Sequence, residues 1–216
     1  MKPHTAILIT IGLLFTIEIE SQIVKDTEVQ NRVFSSMEEA LKNPENVIRL
    51  NLDNQALNIS PKDWAKFVNL EYLSLKNDHL KKIPKEIGDL QKLKFLDLSG
   101  NDFDVLPSNF SNLQNLEELY LNNESRMNLP KTLQILAKLP KLKSLHLEND
   151  NLKSLPTEIF KLQSLQSLFL NENRFQEVPR KIEGLHNLQY LDLQHNNIAT
   201  ENQFIQDLNF GFTIHF

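Results

Sequence analysis

An α/β solenoid is the fold class this sequence predicts: a curved parallel sheet on the concave side, short α or 3₁₀ turns on the convex side, and an N-terminal helical cap. Three observations predict it. Units aligned on their first apolar residue begin at Val47, Leu70, Leu93, Leu116, Leu142, Leu165 and Leu188, 23 residues apart except for 26 between Leu116 and Leu142. Within a unit the apolar positions recur. One unit reads Leu93, Leu96, Leu98, Asn101, Phe103, Leu106, Pro107, Phe110, Leu113, and another reads Leu165, Leu168, Leu170, Asn173, Phe175, Val178, Pro179, Ile182, Leu185. Finally, position 15 of most units is a proline.

Each position has a physical reason. Residues 1, 4 and 6 bracket a short strand whose alternate side chains point inward. Positions 9 and 11 turn the chain away from the sheet. The proline at 15 fixes φ and forbids strand continuation, and positions 18 and 21 let one helical turn cover the core from outside. The polar residue at position 9 satisfies backbone groups that the bend leaves unpaired. Asn does so as donor and acceptor, whereas Asp78 and Asp150 only accept when ionised, and Gln55 and Glu124 fit less well. One unit cannot bury its apolar side chains alone, so the units stack strand beside strand.

These residues resemble the leucine-rich-repeat family, in its short 23-residue Leu-Pro bacterial form, over roughly residues 33–216. Small secreted spirochaete proteins of that form also begin with a signal peptide and a short helix. The resemblance implies a solenoid but leaves function open, because the scaffold serves many partners.

The ends follow. Lys2 and the mostly apolar run Ala6–Ile17 read as a signal peptide over 1–21, with cleavage after Ser21; a buried N-terminal helix or strand is the alternative. Residues 22–46 form an N-terminal segment in which Ser36 and Glu39 make a capping-box signal for a helix through about Lys42, with Met37, Ala40 and Leu41 as its apolar stripe. The solenoid then occupies 47–216. In the first unit Trp64 and Phe67 fall at positions 18 and 21 and read as core.

The unit from Leu116 carries three added residues, which make 132–139 a better helix. They are either drift tolerated on the convex side or a local break in curvature that shapes the concave face. The unit from Leu188 keeps Leu191, Leu193, Asn196, Ile198, Ile205 and Leu208 but has Glu201 and Asn202 in place of Leu-Pro. A truncated unit begins at Gly211 with Ile214 and Phe216 at core positions, offering an edge strand for homodimer pairing unless residues 199–209 fold over it.

Composition removes several functions. Net charge is −5 and no basic stripe is present, which disfavours nucleic acid as partner. With no cysteine there is no disulfide, thiolate nucleophile or N-terminal lipidation site, and five glycines assemble no phosphate-cradling loop. The short apolar N-terminal run is the longest and does not reach the length of a stable membrane span. No cofactor is expected. Histidine spacing gives no metal motif; His195 and Asp192 sharing zinc between subunits is outweighed by their being solvated surface residues.

Function is therefore expected on the concave sheet, where positions 3 and 5 point outward to solvent or partner. Position 3 reads Arg49, Tyr72, Phe95, Glu118, Ser144, Ser167, Tyr190, Thr213, and position 5 reads Asn51, Ser74, Asp97, Tyr120, His146, Phe169, Asp192, His215. The candidate partner-binding residues are Tyr72, Phe95, Asp97, Tyr120, His146, Glu148, Phe169, Tyr190 and Asp192. The expectation is a non-catalytic, exported protein-binding module, adhesin-like and meeting a host or envelope protein. A periplasmic or envelope structural scaffold is the alternative.

Overall fold

The computed structural model describes residues 31–55, 59–199 and 211–216. The expected signal peptide at 1–21, and Ile205 and Leu208 of the last full unit, lie outside the described residues.

Nine strands form one parallel sheet in chain order: β1 (Val33–Phe34), β2 (Arg49–Asn51), β3 (Tyr72–Ser74), β4 (Phe95–Asp97), β5 (Glu118–Tyr120), β6 (Ser144–His146), β7 (Ser167–Phe169), β8 (Tyr190–Asp192) and β9 (Thr213–His215). Each repeat contributes three residues in register, so Leu50, Leu73, Leu96, Leu119, Leu145, Leu168 and Leu191 line up at position 4, followed by Ile214. The seven leucines have no exposed surface; with Leu121, Leu147 and their counterparts at position 6 they form one continuous core. Ile214 is only partly covered and Phe216 is exposed.

The convex side carries 3₁₀ turns Lys85–Asp89, Ser108–Asn112, Thr157–Lys161 and Arg180–Gly184, each following its proline. Successive turns pack closely: a Cβ on Gly88 would stand 2.6 Å from the Asn109 carbonyl oxygen. Trp64 and Phe67 are buried edge to face at 6.3 Å, as core residues.

The N-terminal segment holds more than the expected helix. The helix α1 (Met37–Ala40) is capped by Ser36, whose Oγ accepts from the Glu39 N–H at 3.4 Å, and it ends at Leu41. Ahead of it, β1 adds a strand to the sheet, with Phe34 buried opposite Leu50. A short helix, α2 (Pro61–Trp64), stands on the convex side of the first repeat.

In the 26-residue unit the helix α3 spans Leu129–Leu136, three residues earlier than expected. Asn128 sets its start, accepting from the Lys131 N–H at 3.1 Å, and Pro130 occupies the first turn, where a missing N–H costs nothing. The added residues are absorbed in this convex helix, and β5 still pairs with β6 in register.

Two rows of residues shape the bend after each strand. At position 8, Asn54, Asn77, Gly100, Asn123, Asn149, Glu172 and His195 all have φ between 55° and 68°. Asn and Gly suit that left-handed backbone, and Glu does not. From Asp78 onward the position-9 side chains accept from the preceding repeat: the Gln55 N–H donates to Asp78 Oδ1 at 2.6 Å, Asn101 N–H to Glu124 Oε1 at 2.6 Å, and Glu124 N–H to Asp150 Oδ1 at 2.6 Å. The Asn101 amide also donates to the Leu75 and Leu98 carbonyls, the dual role expected of Asn. Glu124, expected to fit poorly, is buried within this row, where its carboxylate accepts from the Asn101 N–H of the preceding repeat.

Candidate functional site

The strands alternate partial exposure at positions 3 and 5 with full burial at position 4 in β2, β4, β5, β7 and β8. Parallel pairing places Tyr72 beside Phe95, Tyr120 beside His146, and His146 beside Phe169. All nine candidate residues therefore stand on, or immediately after, the concave strands.

Their rings form one unbroken ladder. Tyr72 and Phe95 stack at 4.3 Å, Tyr120 and His146 at 3.6 Å, and His146 and Phe169 at 4.0 Å, with planes within 11° of parallel. Between these stacks the ladder steps diagonally across the sheet. Phe95 meets Tyr120 at 5.2 Å and 44°, Phe169 meets Tyr190 at 5.3 Å and 45°, and Tyr190 meets His215 at 5.0 Å and 48°. At the other end the Arg49 guanidinium covers the Tyr72 ring at 4.3 Å.

His146 differs from the expectation that it points out to solvent. It lies on the concave face but is only 6% exposed, because Tyr120 and Phe169 sandwich it. Its Nε2 stands 3.2 Å from Glu118 Oε1 and its Nδ1 3.5 Å from Glu148 Oε2. Glu118 also accepts from the Tyr120 hydroxyl at 2.8 Å. Glu148 is partly desolvated, yet its hydrogen bond and charge interaction with His146 and its bonds to Asn122 and Asn171 hold its carboxyl below the usual range.

The face is anionic. Asp97 and Asp192 accept from the backbone of their own turns, at Ser99 and Gln194, both at 2.9 Å. Asp53 accepts from the Ser74 hydroxyl and from the Lys76 N–H at 3.0 Å. The tyrosines register this field. Tyr72 and Tyr120 are raised first by burial and then by neighbouring carboxylates, Asp53 and Asp97 for the former and Glu118, Glu148 and Asp97 for the latter. Just before the strands, charges alternate in pairs: Lys94 meets Glu71 at 2.8 Å and Lys143 meets Glu117 at 2.7 Å. Those pairs leave the sheet's lower rim close to neutral.

Arg49, Glu118 and Asp53 join the site beyond the candidates chosen from sequence. Arg49 and Glu118 were visible in the position-3 column, while Asp53 lies past the strand and is brought in only by the turn. Among the described residues no group of three His, Cys, Asp or Glu side chains is arranged to hold a metal ion. No described helix is long and apolar enough to cross a membrane.

A family profile for leucine-rich repeat regions matches residues 41–140, and a leucine-rich repeat profile matches residues 140–198. No curated protein matches the chain. Among solved structures, a leucine-rich repeat protein of Leptospira interrogans is 31% identical with a TM-score of 0.61, over 82% of this chain and 50% of that one. TLR13 in its complex with ssRNA13 is 29% identical with a TM-score of 0.63, over 81% of this chain and 25% of that one. The chain thus spans half the length of the first relative and a quarter of the second.

Proposed function

The chain belongs to the leucine-rich repeat family, a scaffold commonly used to bind proteins, and from that premise we propose that it is a non-catalytic recognition module holding a protein partner on its concave face. The observation that carries this reading is the ring ladder from Tyr72 to His215. Cross-strand stacking stabilises a sheet, but that purpose needs no open face. Partly exposed aromatic side chains gathered on a concave surface are the composition of an interface hot region.

TLR13 carries single-stranded RNA in its complex. For this chain a protein suits the face better, because Asp53, Asp97, Glu118, Glu148 and Asp192 set a negative field against phosphates. The bacterial form of the repeat and export through residues 1–21 complete the proposal, with a host or envelope protein as partner. The Leptospira relative supports the bacterial form.

Site-specific photo-crosslinking tests the face. A photoreactive residue at Ser144, between the stacked strands, should capture the partner from host or envelope extracts. The same residue at Lys138, on the exposed convex side, should not. Capture through Lys138 with none through Ser144 would contradict the proposal.

A further inference from the structure

The ladder is not uniform, and its breaks have a chemistry of their own. In the stacked stretches the ring faces cover one another and only ring edges look outward. At the two diagonal steps that flank the central stack of Tyr120, His146 and Phe169 the planes turn by 44° and 45°, which uncovers part of a ring face. Four residues tile each step. At the first, Phe95 and Tyr120 occupy one diagonal and Asp97 and Glu118 the other. At the second, Phe169 and Tyr190 occupy one diagonal and Ser167 and Asp192 the other. A tilted ring pair flanked by carboxylates suits a cationic side chain, which gains from the negative ring face and from the charge together.

The chain itself places a cation over a ring twice, once at the ladder's end and once in the N-terminal segment. Arg49 lies over Tyr72 at 4.3 Å, and Arg32 lies over Phe34 at 4.4 Å beside Glu39. Arg49 is also the only lysine or arginine in the position-3 and position-5 columns, against Asp97, Glu118 and Asp192. Those two columns therefore place no lysine or arginine at either of these steps.

Resting on the recognition reading above, we propose that the occupant of the face is an extended basic segment of the partner, which seats one Lys or Arg at each of the two steps flanking the central stack. The steps lie between β4 and β5 and between β7 and β8, three strand spacings or about 14 Å apart. An extended chain advances about 3.3 Å per residue, so the two basic residues stand about four positions apart. That even spacing puts both on one side of the segment. The side chains between them pack on the stack of Tyr120, His146 and Phe169.

The test uses the full chain and fluorescein-labelled ten-residue peptides with arginine at positions 3 and 7 in a serine background. The expected result is binding at least tenfold tighter than to the same peptide with citrulline, the neutral isostere, and at least fivefold tighter than with the arginines five apart. Neutralising the first step by D97N with E118Q should lower affinity for the arginine peptide at least tenfold, with the fold retained by circular dichroism. Equal affinity for citrulline, or indifference to D97N with E118Q, would overturn the cationic seats. If arginine peptides fail while the partner still crosslinks at Ser144, the seats are wrong and the concave reading survives. Crosslinking only through Lys138 would remove both.

Discussion

Tyr120 and His146 stack at 3.6 Å with their planes 11° apart, although they belong to consecutive repeats 26 rather than 23 residues apart. The insertion is taken up in α3 on the far side of the core, and the concave ladder passes the junction without interruption.

This stack makes His146 a structural centre of the face. His146→Ala removes two ring contacts, each worth about 0.5–1.5 kcal/mol, and should lower stability accordingly in urea unfolding. His146→Phe restores the rings but not the bonds to Glu118 and Glu148. The difference between the two variants therefore reports stacking, and the difference between Phe and wild type reports the polar contacts.

The position-9 row predicts an unusual dependence on pH. Burial is the leading cause that pushes Glu124 up to about 8, Asp150 up to about 7 and Asp78 up to about 6. The second carboxyl oxygens of Asp78 and Asp150 are buried without a partner. A raised carboxyl holds more protons folded than unfolded, so its contribution is complete below about pH 4 and is lost as pH rises through 6 to 8. The melting temperature should fall between pH 5 and pH 8.5. Asp150→Asn with Glu124→Gln should flatten that fall, because an amide reproduces the dual bonding of Asn101. A melting temperature that rises over this range would contradict the buried acidic row.

Glu172 holds a φ of 59° in a row otherwise filled mostly by Asn and Gly. Glu172→Gly should stabilise the protein by about 0.5–1 kcal/mol, by relieving a conformation that L residues resist. Gly100→Ala should do the reverse, since φ there is 68° and a Cβ would overlap Asn77 Oδ1. Urea midpoints of both variants check the pair.

If residues 1–21 direct export, protein recovered from its native cell should lack them. Mass spectrometry of that material should place its first residue near Gln22, and a chain that starts at Met1 or Lys2 would remove the export proposal.

The fold was legible because each core position recurs at one period. Leu96, Leu119 and Leu145 announce themselves by register alone, and with them the outward columns. What stayed hidden depends on contacts that periodicity does not encode. The two-residue strand β1 has no repeat to betray it and is held by pairing with β2. The diagonal contact of Phe95 with Tyr120 depends on ring orientation, although both residues were recognised as exposed aromatics. The burial of His146 arises from its neighbours' rings rather than from its own place on the strand. Glu124 read as a misfit because it stands where Asn serves as donor and acceptor, and its bond to the Asn101 backbone of the preceding repeat is not encoded in its own unit.

Adjacent residues of β5 and its exit divide the concave claim most directly. Leu121 is fully buried, and Leu121→Ala should cost about 2–5 kcal/mol of stability while the folded fraction binds its crosslinked partner normally. Tyr120→Ala should cost much less stability, yet weaken partner binding by about 1 kcal/mol or more. Thermal melts and titrations of the two variants, side by side, give the answer. Separation of stability from binding is the predicted result, and a Tyr120→Ala variant that binds its partner like wild type would contradict a concave binding face.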